Sequence, residues 1–282
     1  MFTRRLIATA SAAGLALTLA ACAGPAATPG GSTGGDAAGG DGITIGIKFD
    51  QPGLGLREGD TYSGFDVEVA KYVAKELGHE EGAIKWVESP SAQRETLIET
   101  DQVDLIFATY SITDKRKERV SFAGPYFIAG QGLLVRADEA DIKGQDTLGG
   151  KKLCSVTGST PAQKIKDAYP DVELQEFGTY SECLPALLNG TIDAVTTDDT
   201  ILAGFAAQQQ YAGKLKLVGE PFTTENYGVG LKKGDTALCE KVNAAITKMV
   251  SDGAWEAAIE KTLGAADYTP GPGNPPTPAA CS

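Results

Sequence analysis

Apolar and polar positions change period along the chain, and this change predicts an α/β protein. Short apolar runs of strand length, such as Ile43–Ile47 and residues 103–108, are separated by stretches in which apolar residues recur every three or four positions. In residues 64–78, for example, Val69 and Val73 share one helix face, so we expect this helix to serve packing rather than chemistry. The alternation of strands and helices favours sheets covered by helices.

A weak internal repeat indicates two lobes. Residues 97–106 and 187–195 each finish a helix, turn, and open a strand with a hydrophobic residue followed by aspartate. Thr109 and Ser111 follow the first strand and Asp198 follows the second, and ligands of α/β sheets bind at the carboxyl ends of strands. The two lobes together would offer the charge pattern that fits a zwitterion. The alternative is chance, because strands of this composition are common.

The first of these strands leads into a basic patch that begins near Arg116. Hydroxyl groups followed by an arginine are well suited to hold a small carboxylate. The alternative is a solvated helix start, in which Thr113 caps the helix and the basic side chains face water.

The predicted lobes are unequal, with two crossings between them. The expected segments are a discontinuous large lobe (residues 43–132 and 228–266), a small lobe (residues 133–227) and a Pro-rich tail (residues 267–282). The crossings near residues 130–135 and 227–231 are extended and contain glycine, which suits a hinge. Thr160 and Pro161 resemble the N-cap and first turn of a small-lobe helix whose N–H groups would favour an anion.

The N-terminus predicts export. Residues 1–21 combine a positive start with an apolar run and lead into Leu19-Ala-Ala-Cys22, which resembles a bacterial lipobox. We expect Cys22 to be the lipidated mature N-terminus and residues 22–42 to be a flexible Gly/Pro tether. The alternative is an ordinary secretory signal with a chance cysteine.

Composition narrows the function. A net charge of −12 argues against nucleic acid or an anionic membrane surface as a partner. The single histidine, His79, leaves little basis for a Ser-His-Asp triad or a multi-histidine metal site. We therefore expect no metal and no organic cofactor.

Four cysteines remain after the lipobox, and an exported protein favours disulfides between them. Of the three possible pairings we favour Cys154–Cys183 and Cys239–Cys281, because each pair stays within one lobe and a bridge between lobes would oppose closure. Buried free thiols are the alternative.

Several motifs resemble the polar amino-acid (family 3) solute-binding proteins of ABC importers. These are Gly64-Phe-Asp-Val-Glu-Val-Ala70 and the segment running from Ser111-Ile-Thr-Asp-Lys-Arg116 to Val120-Ser-Phe-Ala-Gly-Pro-Tyr126. The resemblance covers residues 43–264 and implies a two-lobed, type II periplasmic-binding-protein-like α/β fold with the ligand in the cleft between the lobes. It also implies that Arg116, with Thr109 and Ser111, binds the α-carboxylate of the ligand. Asp198 would bind the α-ammonium group. Thr157 and Thr160 would contribute to the site from the small lobe.

Other stretches, such as Glu88-Ser-Pro-Ser-Ala-Gln-Arg94, look especially like the glutamate-binding lipoproteins of high-GC Gram-positive bacteria. This resemblance implies that Arg94 reaches a side-chain carboxylate. Lys48 lies at the same sheet edge as a further cation, although many relatives carry an acidic or aromatic residue near it. For both cations the alternative is a surface ion pair.

These observations predict a monomeric, non-enzymatic lipoprotein on the outer face of the cytoplasmic membrane. It would bind L-glutamate first, then aspartate and glutamine, and deliver the ligand to the permease and ATPase subunits of an ABC importer. Two alternatives stay open. One is a ligand-sensing subunit for a membrane receptor, and the other is a dehydratase-like enzyme on the same fold.

Overall fold

The structure, a computed structural model, describes residues 42–281. The expected signal peptide, the lipidated Cys22 and nearly all of the tether therefore lie outside the described residues. Among the described residues, no helix combines the length and the apolar character needed to cross a membrane.

Strands and helices alternate as the sequence pattern predicts. The strands are β1 (Ile43–Ile47), β2 (Asp50–Gln51), β3 (Gly55–Glu58), β4 (Thr61–Ser63), β5 (Ile84–Glu88), β6 (Leu105–Ile106), β7 (Ser121–Ala129), β8 (Gln131–Arg136), β9 (Lys152–Val156), β10 (Glu173–Phe177), β11 (Ala194–Asp198), β12 (Leu215–Val218) and β13 (Glu225–Leu231). The α-helices are α1 (Phe65–Glu76), α2 (Arg94–Glu99), α3 (Asp114–Lys117), α4 (Thr160–Ala168), α5 (Cys183–Leu188), α6 (Asp199–Ala206), α7 (Thr236–Ser251) and α8 (Ala254–Leu263).

Two five-stranded sheets form the cores of the two lobes. The large-lobe sheet has the order β5-β1-β6-β13-β7, and the small-lobe sheet has the order β10-β9-β11-β8-β12. In each sheet three neighbouring strands are parallel, and the strands entering from the other lobe are antiparallel to them. The carboxyl ends of the parallel strands meet at one edge of each sheet, which is where a ligand of an α/β protein binds.

The chain crosses between the sheets twice. The first crossing is Gly130, between β7 and β8, as expected. The second lies between Val218 and Glu225, earlier than the expected residues 227–231, because Tyr227 already pairs with Phe127 in the large-lobe sheet. A Cβ atom on Gly130 would lie 2.6 Å from Pro221, so only glycine lets the two crossings run this close.

Gly64 shows why helix α1 begins where it does. Its φ is +114°, and a Cβ atom there would lie 2.1 Å from the carbonyl oxygen of Leu54. The helix then buries Val69 and Val73 against the large-lobe core. That core centres on a cluster of aromatic rings, in which Phe65 contacts both Phe127 and Trp255.

Two disulfides join the pairs favoured from the sequence, Cys154–Cys183 and Cys239–Cys281. The second ties the C-terminal tail to helix α7. On its way to this bridge the tail runs along strand β7, where the side chain of Asn274 accepts from the backbone N–H of Ile128 and donates to its carbonyl. The tail thereby covers an exposed sheet edge.

Candidate functional site

A small, partly enclosed cavity lies between the lobes, beside the carboxyl ends of the parallel strands. Its lining residues are Ser91, Arg94, Thr109, Ser111, Ser159, Thr160, Pro161, Tyr180, Asp198 and Ile201. Five of the eight ligand-binding residues expected from the sequence are in this set. Arg116 and Lys48 are buried close to it.

The small-lobe contribution differs from the expectation in two respects. Thr157 is exposed and does not line the cavity. The N-cap of α4 is Ser159, whose hydroxyl accepts from the N–H of Ala162, while Thr160 is the first helical residue. Serine and threonine are both good N-caps, so the sequence alone does not distinguish Ser159 from the expected cap, Thr160.

Arg116 links the two lobes. Its guanidinium donates to the carbonyl of Ser111 in its own lobe at 2.7 Å, and to the carbonyl of Gly158 in the small lobe at 3.1 Å. Glu95 lies 3.4 Å from its Nε. Thr113 caps α3 as the alternative interpretation expected, but Arg116 itself is only 8% exposed and does not face water.

Arg94 is the least compensated charge at the cavity. It is 2% exposed, and it donates only to the backbone carbonyl of Ser89 and to the hydroxyl of Ser91. No carboxylate within residues 42–281 forms an ion pair with it, so the surface ion pair considered from the sequence is absent there. Burial, and next the positive charge of Arg116, lower the pKa of Arg94. A buried cation of this kind is costly until an anion reaches it.

Lys48, at the end of β1, is 1% exposed. Burial and the nearby charge of Arg94 lower its pKa from 10.5 to about 8. The large lobe therefore holds three buried cationic side chains within or beside one small cavity.

The opposite charge comes from Asp198 at the carboxyl end of β11. One of its carboxylate oxygens accepts from the hydroxyl of Tyr227 at 2.6 Å, and the other has no hydrogen-bond partner in the described part of the chain. Burial, followed by the negative charge of Glu225, raises the pKa of Asp198. Lys164 pairs with Glu225 at 2.5 Å. A cationic group placed against the unpartnered oxygen of Asp198 would restore its ionised form.

Tyr180 is a cavity residue that the sequence analysis missed. Helix α5 begins only at Cys183 and leaves the Tyr180 side chain, 2% exposed, at the cavity. Burial and the charge of Asp198 raise its pKa to about 12. The Cys154–Cys183 disulfide anchors α5 three residues later. The predicted pairing of Cys183 with Cys154 was the signal in the sequence that could have identified Tyr180 as a residue near the cavity.

Asp66 corrects the expectation that helix α1 serves packing alone. Its carboxylate, fully buried, accepts from the backbone N–H of Thr109 at 2.9 Å and from the hydroxyl of Tyr126 at 2.7 Å. Thr109 has a left-handed φ of 47°, which costs energy in a residue with a branched Cβ. Asp66 therefore holds the turn that presents Thr109 to the cavity.

The described part of the chain offers no cluster of side chains suited to bind a metal ion. Across residues 42–281, no group of three or more His, Cys, Asp or Glu side chains is arranged to hold a metal ion. The buried cations and the unpartnered oxygen of Asp198 are the groups that could bind carboxylates and an ammonium group, respectively.

Comparisons with known proteins show what the chain is similar to. Residues 43–265 match the bacterial extracellular solute-binding proteins, family 3. The chain is 47% identical to the glutamate-binding protein GluB of Corynebacterium efficiens, over 94% of this chain and 92% of that protein. It is 38% identical to the ABC transporter glutamine-binding protein GlnH of Bacillus subtilis, over 79% of this chain and 81% of that protein.

A solved structure shares the fold. An ancestral arginine-binding protein bound to arginine superposes with a TM-score of 0.73 at 32% identity, covering 79% of this chain and 98% of that one. The predicted two-lobed, type II periplasmic-binding-protein-like fold is confirmed.

Proposed function

The chain belongs to family 3 of the bacterial extracellular solute-binding proteins, and we propose that it captures L-glutamate between its lobes for delivery to an ABC importer. The observation that carries this proposal is Arg94, a buried guanidinium at the cavity without an acidic partner in the described residues. The relatives named above are binding proteins for glutamate and for glutamine. Arg94 decides between these two ligands.

The α-groups of an amino acid suit the two poles of the cavity. Arg116, assisted by Thr109 and Ser111, would receive the α-carboxylate. Asp198 would receive the α-ammonium at its unpartnered oxygen. Charge-assisted hydrogen bonds of this kind contribute about 1.5–3 kcal/mol each, and every group named here is at most 8% exposed.

The side chain of the ligand would meet Arg94, with Lys48 behind it. A carboxylate can accept two parallel hydrogen bonds from a guanidinium. The neutral amide of glutamine would leave Arg94 buried and uncompensated, so glutamate should bind more tightly, followed by aspartate and glutamine.

Closure of the lobes completes the mechanism. Three contacts that cross the cleft support it, namely those of Arg116 with Gly158, Asp50 with Ser181, and Lys164 with Glu225 at the hinge. These contacts exclude water from the ligand, which strengthens each hydrogen bond to it. The ligand leaves chemically unchanged, so we propose no enzymatic step.

The location and the membrane partners of the protein are part of the same proposal. The family is extracellular. We propose that a lipid on Cys22 holds a monomer at the outer face of the cytoplasmic membrane through the tether of residues 22–42. We also propose that the closed lobes dock on the permease of an importer whose ATPase drives transport.

A calorimetric screen of the twenty amino acids tests the proposal. Wild-type protein should bind glutamate at least about ten times more tightly than glutamine, a difference of about 1.4 kcal/mol. Arg94→Met should narrow that gap, because it removes the group that distinguishes a carboxylate from an amide. The matched control is Arg119→Met, since Arg119 is exposed and already paired with Glu99. Equal affinity of wild type for both ligands, or equal weakening of both by Arg94→Met, would contradict the proposal.

A further inference from the structure

The aromatic ring of Tyr110 contacts both guanidinium groups of the site. The Cζ atoms of Arg94 and Arg116 each lie 4.9 Å from the centre of this ring. Tyr110 is fully buried immediately between Thr109 and Ser111, yet it does not line the cavity. Its ring can therefore act on a ligand through the two arginines.

Two buried cations so close to one another should move apart unless something holds them. Their mutual repulsion is one of the effects that lower the pKa of Arg94. The face of an aromatic ring attracts a cation, and the attraction is stronger where water is excluded. A single ring that attracts both guanidiniums therefore opposes their separation and defines where each one sits.

The ring is itself held rigidly by the large-lobe sheet. Phe122 packs edge-on against it, with the ring centres 4.8 Å apart. On another side, a Cβ atom on Gly230 of strand β13 would lie 2.7 Å from the Tyr110 ring, so backbone lies directly against it. The sheet thus positions the ring, and the ring positions both cations.

We propose that Tyr110 is a specificity-determining residue that sets the spacing between the two carboxylate-binding guanidiniums. This inference rests on the proposed function, in which Arg116 receives the α-carboxylate and Arg94 the side-chain carboxylate. Glutamate and aspartate carry the same charges and differ by one methylene in the distance between their carboxylates. A fixed spacing between the two receptors selects one of these lengths, whereas a loose spacing accepts both.

The test is the ratio of the dissociation constants for aspartate and glutamate, measured by calorimetry on purified protein. Tyr110→Phe keeps the ring and should leave the ratio within twofold of wild type. Tyr110→Leu removes the ring and should lower the ratio at least fivefold. Val73→Ala is the matched control, because it removes buried apolar volume from the large-lobe core in a hydrophobic cluster separate from that of Tyr110. It should reduce thermal stability and leave the ratio within twofold.

A second variant covers the case in which Tyr110→Leu does not fold. Pentafluorophenylalanine at position 110 keeps the size of the Tyr110→Phe ring but inverts its charge distribution, so the ratio should fall relative to Tyr110→Phe. Equal weakening of both ligands in Tyr110→Leu would overturn the inference. An unchanged ratio with the fluorinated ring, or an equal fall in Val73→Ala, would overturn it as well. Wild-type protein that binds no dicarboxylic amino acid would overturn the proposed function together with it.

Discussion

Replacing Lys48 with methionine should stabilise the protein in the absence of ligand. Lys48 is 1% exposed and forms no ion pair with an acidic side chain of residues 42–281. Burial is the largest cause of its lowered pKa, and the positive charge of Arg94 is the next. Methionine has a similar length and adaptable shape without the charge, so it can fill the same space.

The size of the effect follows from the pKa. A fall from 10.5 to about 8, at about 1.36 kcal/mol per unit, means that the charged Lys48 costs the folded state about 3 kcal/mol. The unfolded chain keeps the lysine proton up to about pH 10.5 and the folded chain only up to about pH 8. Between these values the unfolded chain binds more protons, so stability rises with pH, and the full cost is present below pH 8.

Urea unfolding at pH 7 and pH 10 checks this prediction. At pH 7 the free energy of unfolding of Lys48→Met should exceed that of wild type by up to about 3 kcal/mol. This corresponds to a rise in Tm of roughly 6–12 °C for a chain of this size. The difference should shrink to less than about 1 kcal/mol at pH 10. Lys85→Met, an exposed change on neighbouring strand β5, should alter stability by no more than about 0.5 kcal/mol. A Lys48→Met variant that is less stable than wild type at pH 7 would refute the reasoning.

Two further changes test the supports of the site. Burial raises the pKa of Asp66 from 3.8 to about 6. Between these values the folded chain keeps a proton that the unfolded chain loses. Wild type should therefore lose up to about 3 kcal/mol of stability as pH rises from about 4 to about 6. Asp66→Asn should flatten this dependence in urea unfolding, and an unchanged slope would contradict it. Removing either disulfide by double alanine substitution should cost about 3–4 kcal/mol in the same assay. Calorimetry should show weaker glutamate binding only without Cys154–Cys183, which anchors the helix beside Tyr180. Equal losses of affinity in both double variants would argue against that role.

The sequence predicts best those features that depend on neighbouring residues. Strand β1 and the helix after Gly64 lie within two residues of the expected positions, because periodicity and flanking glycines are local signals. The strand expected over residues 103–108 keeps only Leu105 and Ile106 in its ladder. The chain leaves the sheet by the left-handed turn at Thr109, and that turn depends on Asp66, 43 residues away.

Contacts between residues far apart in the sequence also account for the parts of the site that could not be predicted. Arg94, Arg116 and Asp198 could be nominated because charge at the carboxyl end of a strand is visible in the sequence. Two contacts could not be predicted in this way, namely the hydrogen bond between Tyr227 and Asp198 and the ion pair between Lys164 and Glu225. Each depends on how the second crossing meets the small lobe. Long-range partners of this kind decide which charges are already compensated by the protein.

Some charges near the cavity have an oppositely charged partner in the protein and others do not. This difference is what specifies the ligand. Glu225 is paired with Lys164, so these two charges make little demand on a ligand. Arg94 and one oxygen of Asp198 have no such partner in the described residues. Burying a charge costs free energy that only an opposite charge returns. A molecule that brings two carboxylates and one ammonium group therefore gains most from closure of the lobes, while one that lacks the second carboxylate leaves Arg94 buried at full cost.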